Sequence, residues 1–459
     1  MNNTLIGGFS PFNSPNAKGR LTALHSNLYH KKHEESEYLA KQISTQNDIK
    51  TVTEYLAFDP ITGNATQVRT TDPSTGSVTE KIIEYAYTDP AYVAMGPKSV
   101  DATYSNQLGL VSLEKTLRDN VLIGGTRTTF DKNLLTRKFN TGTLAYESVS
   151  TARDWKPKKT FVFNGNVTPT SWKEVNEFTL FSPRGAVLEQ KTPATSTSAG
   201  TVARYSAMKL GYDDRFATTE VSDSKYTEST FSGAEDYNST TGYFGGEVKL
   251  GTNATVNTSA PYIHTGTKSL KISPNGNGFV YKIAATELNL ARTYVARVWV
   301  YNNGNSSAGL KYQFLNSSNA VIKEDVVNLN SSTAFSANQN GYTYAKKDGW
   351  VLLTLQVTLP ASLTGLNFVL SCVNTSTTTD AYFDDLRLHP INSSMKNYIY
   401  DVQSERITQV LDENGFYQTI EYNEIGKIKK IWQETLDGVK LVTETNLNYY
   451  RISAPTVQY

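Results

Sequence analysis

Cysteine is almost absent: Cys372 is the single one in 459 residues. A lone thiol excludes an intramolecular disulfide framework and any cysteine-rich zinc site. No apolar run approaches the ~20 residues of a membrane helix, so no segment is expected to insert into a membrane. The start, Met1 to Gly8, lacks the basic residues and the roughly 7–15-residue apolar stretch of a signal peptide, and by itself reads as soluble and cytoplasmic. Charge is sparse too. Charged residues make up 19%, below the ~25% of an average soluble domain. With 44 Lys+Arg against 43 Asp+Glu the net charge is +1, which does not suit a general nucleic-acid binder that must neutralise phosphates. Nucleophile and nucleotide signatures are missing as well: there is no Gly-x-Ser-x-Gly elbow, no Walker loop and no Gly-x-Gly-x-x-Gly.

Ser, Thr, Asn and Tyr fill the deficit, with 28 tyrosines alone. Hydroxylated, β-branched and aromatic residues favour strands over helices. The length suggests about three domains. The best helical candidate, Glu34 to Gln42, is short, and its pattern also fits a strand pair. Near the C-terminus the pattern has period two: Phe416, Gln418, Ile420 and Tyr422 face one way, and Tyr417, Thr419, Glu421 and Asn423 the other. Asn414-Gly415 precedes them, a dipeptide suited to a type I′ turn with positive φ at both centres, and Arg406 to Leu411 supplies the partner strand. This predicts a hairpin.

The hairpin recurs. Tyr400-Asp401 through Ile407 is followed 22 residues later by Tyr422-Asn423 through Ile428. Degenerate copies stand at Phe58-Asp59 to Gly63, Phe130-Asp131 to Leu134, Phe181-Ser182-Pro183-Arg184-Gly185 and Tyr212-Asp213-Asp214-Arg215. In each an aromatic ends a strand, an Asp, Ser or Asn closes the turn, and a β-branched strand follows. Such a unit must stack on its neighbours to bury its apolar face. These units resemble the YD repeats of bacterial RHS (rearrangement hotspot) proteins, weakly over residues 1–225 and more specifically over 395–445. The resemblance implies a long sheet that curls into a shell, export to the cell surface or medium, and further repeats as partners in a larger assembly. No core-closing Asp-Pro-x-Gly-Arg motif accompanies the units.

Residues 228–390 break the repeat. Their strands, Tyr294 to Tyr301 among them, alternate Tyr294/Ala296/Val298/Val300 against Val295/Arg297/Trp299/Tyr301, and polar Gly/Asn/Ser loops separate them. An all-β sandwich follows, long enough to fold on its own core. The order Phe231-x-x-x-Glu235-Asp236, His264-x-Gly266-x-x-Ser269-Leu270 and Tyr382-Phe383-Asp384-Asp385-Leu386 is similar to carbohydrate-binding jelly rolls. That resemblance implies a structural calcium ion tying first strand to last, with Glu235, Asp236, Asp384 and Asp385 as the matching carboxylates and backbone carbonyls near Gly266 completing the six to eight oxygens calcium takes. Sugar binding needs exposed aromatic faces beside polar groups, and Trp299, Tyr301, Tyr312 and Tyr342 are the candidates. Trp299 and Trp350 also fit a core strand pattern.

Other chemistry is thin. His30 and His33 lie three apart without a third ligand, His25 stands alone, His264 reads as a structural loop residue, and His389 as a linker after the last sandwich strand. Cys372 falls in the apolar stretch Phe368 to Val373 and reads as a small hydrophobe. Asp213-Asp214, Glu235-Asp236 and Asp384-Asp385 offer carboxylates for a glycosidase, but neighbours on a strand point to opposite faces.

The expectation is an all-β chain: a diverged YD/RHS-like region over 1–227, a jelly roll over 228–390 and C-terminal YD hairpins over 391–459. Its expected role is a non-catalytic, secreted or cell-surface scaffold or adhesin whose jelly roll binds a glycan or a protein of the surface or secretion machinery, with no nucleic acid as partner. The alternatives are a section of a toxin-enclosing RHS shell, and a glycan-degrading enzyme with an accessory binding module.

Overall fold

In the computed structural model, residues 38–46, 49–148, 154–165, 172–193, 195–197, 200–329 and 340–445 are described. The chain forms two compact units, residues 1–83 with 116–122, and residues 84–115 with 123–459. The fold is all-β, and the helical elements among the described residues are short 3-10 turns such as Pro90–Met95. The helix candidate at 34–42 gives way to strand: Lys41–Gln46 pairs antiparallel with Ile49–Phe58. Its Ile43, Thr45, Val52 and Thr53 are β-branched and fit a pleated pair better than a helix. Residues 34–37, like His25, His30 and His33, lie outside the described residues.

The first unit is an antiparallel meander of Lys41–Gln46, Ile49–Phe58, Ala65–Thr71 and Val78–Tyr85. Its turns are closed from the sequence itself. The Asp59 carboxylate accepts the N–H groups of Ile61 and Thr62, and Gly63 follows at φ +73°. Asp72 does the same for Ser74 ahead of Gly76. A side chain that imitates the turn carbonyl, followed by a residue free to adopt positive φ, reverses the chain in few residues.

In the second unit Val121–Asp131, Lys156–Phe163, Trp172–Phe181, Val187–Lys191, Tyr205–Gly211 and Phe216–Ser222 follow one another edge to edge. The order then jumps to Ser394–Asp401, Arg406–Leu411, Tyr417–Tyr422, Ile428–Thr435 and Gly438–Glu444. We refer to this sheet as the ladder. Everything between leaves and returns at one place, because Phe216–Ser222 pairs directly with Ser394–Asp401, Ser222 opposite Ser394. The intervening segment is able to do so because Thr230–Ser232 pairs with Ala381–Pro390, Thr230 opposite Leu388. Its two ends are thereby side by side.

That segment is a two-sheet sandwich. One sheet runs Ala254–Asn257, Ser269–Ile272, Ala381–Pro390, Tyr294–Tyr301, Trp350–Val357, Gly341–Ala345; the other runs Tyr237–Asn238, Tyr243–Phe244, Val248–Lys249, Gly276–Ala284, Asn367–Asn374, Ala308–Leu315, Val321–Asn328. Between them Phe279, Tyr281, Tyr294, Phe314, Phe368 and Phe383 are buried. The period-two expectation holds in the strand Tyr294–Tyr301: Tyr294, Ala296, Val298 and Val300 enter this core. Trp299 leaves it on the opposite face, yet is also buried, in a second cluster with Trp350, Leu352 and Phe416. Phe416 comes from the C-terminal hairpins, so hairpins and sandwich share one unit. Cys372 is buried in the main core, where burial pushes its thiol well up.

The hairpin at Arg406–Leu411 and Tyr417–Tyr422 forms, with Leu411 opposite Tyr417. Its turn is not type I′. Among residues 412–416 positive φ is confined to Gly415, at +89°. Asp412 accepts the N–H groups of Asn414 and Phe416 with one carboxylate oxygen, which stabilises a three-residue loop with glycine in the left-handed position. A Cβ at Gly415 would also stand 3.5 Å from Arg387 Nη1 and from Trp299 Nε1. Gly415→Val is expected to lower stability by about 1–3 kcal/mol, measured by urea unfolding; an unchanged midpoint would refute the assignment of strain to this turn.

Candidate functional site

The four carboxylates expected to hold calcium lie in the link between Thr230–Ser232 and Tyr237–Asn238 and within the strand Ala381–Pro390, and are committed to hydrogen-bond donors. Glu235 Oε1 accepts the N–H groups of Thr267 and Lys268, and its Oε2 accepts the Thr267 hydroxyl. Asp384 Oδ2 accepts from the backbone of His264 and Thr265, at 2.9 and 3.1 Å. Asp385 accepts from the His264 ring and the Thr265 hydroxyl. Asp236 turns away into a cleft, toward the N–H of Tyr212. Among the described residues no three His, Cys, Asp or Glu side chains form a group able to hold a metal ion. A calcium ion would have to displace these donors, so the four carboxylates do not fit one cation as they stand.

What the acidic residues do organise is an imidazole. His264 and its neighbours Asp385 and Glu434 have fully buried side chains. Nδ1 lies 2.7 Å from Asp385 Oδ2 and Nε2 2.8 Å from Glu434 Oε1. To donate from both nitrogens the ring carries a proton on each. Burial alone would pull its pKa down, but hydrogen bonds and charge from Asp385 and Glu434 together raise it above the ordinary histidine value. Lys346 bonds the same Glu434 oxygen, and Tyr417 N–H donates to the other oxygen at 3.1 Å. The ring stacks on Trp299 at 4.5 Å, and Trp299 Nε1 donates to Gly415 O at 2.9 Å. Nearby, Gly266 N–H donates to Gln409 on the ladder.

The aromatic candidates divide. Trp299 is fully buried under the hairpins and offers no face to a ligand, because Phe416 and His264 occupy it. Tyr312 is buried in the sandwich core, where its hydroxyl reaches Thr358 N–H. Tyr342 packs against the same core from its margin. Of the four, Tyr301 comes nearest to a platform: it ends the strand Tyr294–Tyr301 half-buried, edge-on to Trp350 at 5.5 Å. There it meets two tyrosines that sequence reading passed over. Tyr262 stacks on Tyr382 with ring centroids 3.9 Å apart and planes 9° apart, and sits edge-on to Tyr301 at 5.1 Å. Beside them Lys271, opposite Tyr382 in the sheet, pairs with Asp380 at 2.7 Å. The Tyr-Phe-Asp-Asp motif contained Tyr382, but its carboxylates drew the attention; Tyr262 had no signal beyond its place before His264.

The cleft that receives Asp236 is small, with a cavity volume of ≈ 20 Å³, and is lined by Lys209, Tyr212, Glu235, Glu247 and Tyr398 among others. Lys209 and Glu247 pair at 2.7 Å. Burial lowers the Lys209 pKa, against the pull of Glu247. Glu235 and Asp236 both border the cleft, but their carboxylates diverge, Glu235 to the Thr267 and Lys268 donors and Asp236 to the Tyr212 N–H.

Comparison with known proteins gives no family. No family model matches the chain, and no curated protein matches it. Among solved structures it is similar to the CBM22-1 xylan-binding domain of Paenibacillus barcinonensis Xyn10C, at 14% identity over 32% of this chain and 86% of that one, TM-score 0.22. The tandem CBM22-1–CBM22-2 domain of the same protein gives 11% identity over 76% and 93%, TM-score 0.24. An exo-beta-1,3-galactanase from Phanerochaete chrysosporium gives 8% over 76% and 81%, TM-score 0.18. Likenesses of this size assign neither a family nor a ligand.

His389, read as a linker, lies within the strand Ala381–Pro390 and is buried. Glu434 and Lys346, which complete the buried charge group, carried no motif.

Two pH dependences follow. Burial pushes the Asp236 carboxyl up to about 6, so the folded state holds this proton more tightly than the unfolded one, and stability falls as pH rises from about 4 through 6. Asp236 is half-buried at the cleft mouth, so screening trims the effect to about 1–2 kcal/mol. Asp236→Asn should match the wild type in urea at about pH 3, below the ordinary Asp value, and exceed it by that amount at pH 7. The raised His264 contributes stability that is full below about 6.5 and is lost as pH climbs through its folded value. His264→Gln should flatten the stability curve above neutrality; an unaltered slope would remove the charged-ring assignment. Because the acidic residues are spent on N–H donors, melts in millimolar calcium and in EDTA should coincide, whereas a site held at 100 times its dissociation constant would add ~2.7 kcal/mol.

Proposed function

We propose that this chain is a non-catalytic, secreted or cell-surface β scaffold whose sandwich binds a glycan chain on the ledge of Tyr262, Tyr301 and Tyr382. The ledge carries the reading. Three half-exposed aromatic rings stand together beside a Lys271–Asp380 ion pair, and a pyranose offers C–H faces for the rings and hydroxyls for the charged pair. Stacking of Tyr262 on Tyr382 fixes both rings before any ligand arrives, which reduces the ordering cost of binding. The scaffold part is supported by the ladder, where residues 181–185, 212–215, 400–405 and 422–426, each an aromatic followed by a polar turn residue, are the units that resemble RHS proteins, and by the way the sandwich is locked to it. The divergence of Glu235 and Asp236 weighs against hydrolysis. Export is inferred from the resemblance.

A glycan array with the full chain tests this, since the sandwich shares buried contacts with the hairpins. Binding to a neutral polysaccharide is expected. Tyr382→Ala and Tyr301→Ala should each weaken it about tenfold, ~1.4 kcal/mol, while Tyr342→Phe leaves it unchanged. A blank array from folded protein would sink the glycan reading, and release of reducing ends from a bound polysaccharide would favour the glycosidase alternative.

A further inference from the structure

The face of the sandwich sheet containing Tyr294–Tyr301 that lies against the C-terminal hairpins carries three bases, each with a polar atom that has no partner among the described residues. Arg297 and Arg387 are register partners across two strands, as are Val295 and His389. Arg387 and His389 are two apart on one strand, so all three side chains project from the same face. Arg387 is 1% exposed. Its Nε donates to Asn397 Oδ1 at 2.7 Å, and Asn397 in turn donates to Thr219 Oγ1, but Nη1 and Nη2 have no partner among the described residues. Arg297 donates from Nη1 to Glu413 O at 3.0 Å and leaves its buried Nε unpaired. His389 engages Pro390 O and the Ser393 hydroxyl through Nδ1 and leaves Nε2 unpaired.

A buried guanidinium with idle N–H groups beside a second guanidinium is unfavourable unless something negative lies between them. The nearby acidic residues are engaged elsewhere. Both oxygens of Asp385 serve His264 and Thr265, and Asp412 Oδ1 holds the hairpin turn. Glu413 is exposed and reaches toward Ser394. Burial pulls the Arg387 pKa down to about 10, with Arg297 adding to the fall and the charges of Asp385 and Asp412 opposing it. Burial and the two arginines hold His389 at about 3 and hence neutral.

We propose that the seam between sandwich and hairpins binds a small monovalent anion, of the size of chloride or formate, on the Nη groups of Arg387 and the Nε of Arg297. The anion bridges strand Ala381–Pro390 to strand Tyr294–Tyr301, whose Arg297 in turn reaches the hairpin turn through Glu413 O. This site does not depend on the glycan reading, and it sits on the covered half of the sheet that carries the tyrosine ledge at its other end.

Bromide replaces chloride in such sites and scatters anomalously. Crystals of the full chain grown with bromide should show an anomalous peak within hydrogen-bond reach of Arg387 Nη. In solution, raising chloride at constant ionic strength, with gluconate as the bulky balancing anion, should raise the unfolding midpoint of the wild type stepwise. Arg297→Met should abolish that chloride dependence, and Arg387→Met likewise if it folds. Ordered water at the arginines with no bromide peak, or a midpoint indifferent to chloride, overturns the proposal. Formate run in place of chloride separates a halide-sized pocket from one that takes carboxylates.

Discussion

A charged imidazole gripped between two acidic side chains holds the second unit together. His264 comes from a sandwich loop, Asp385 from the last sandwich strand and Glu434 from a ladder strand. In a buried setting such charge-assisted bonds are short and strong, and removing one member strands the others without water. The register of the hairpins against the sandwich is set at this point. Trp299 then has a ceiling, Gly415 O has a donor, and Lys346 finds its partner in Glu434. Ordinary apolar contact completes the seam through Phe416, Trp350 and Leu352.

Fold class was legible because it depends on local patterns. Alternation in Tyr294–Tyr301 separates core from outer face, and the aromatic–Asp–Gly units stand at turns. Turn type was less so: Asn414-Gly415 permits two positive φ values, but the Asp412 side chain favours a longer loop. Period two also places Phe416 and Tyr417 on opposite sides, yet both rings reach the sandwich. Phe416 lies just before its strand begins, where alternation no longer applies.

The site was the least legible part, for a physical reason. Whether an aromatic on the outer face of a sheet is a platform or a gasket depends on what covers it, and the cover lies far along the chain. Trp299 and Tyr301 share a face two residues apart. One lies beneath Gly415, and the other is half-exposed between Trp350 and Tyr262. Likewise Asp384 and Asp385 are metal ligands only by the implication of the jelly-roll resemblance, and their partners here are N–H, hydroxyl and ring donors supplied by residues 264 and 265.

The direct pairing of Phe216–Ser222 with Ser394–Asp401 has a mechanical meaning. Tension applied along the ladder passes from one of these strands to the other through their hydrogen bonds, and the covalent path through the sandwich is bypassed, so the sandwich is loaded only through its docking contacts with the hairpins. Only after that pair unzips do residues 223–393 enter the line of force. The ladder strands can therefore strain and recover while the sandwich keeps its shape, and the pairing acts as a strain relief. The slack held in reserve is the whole folded sandwich, which would be paid out only under loads large enough to part its adjoining first and last strands.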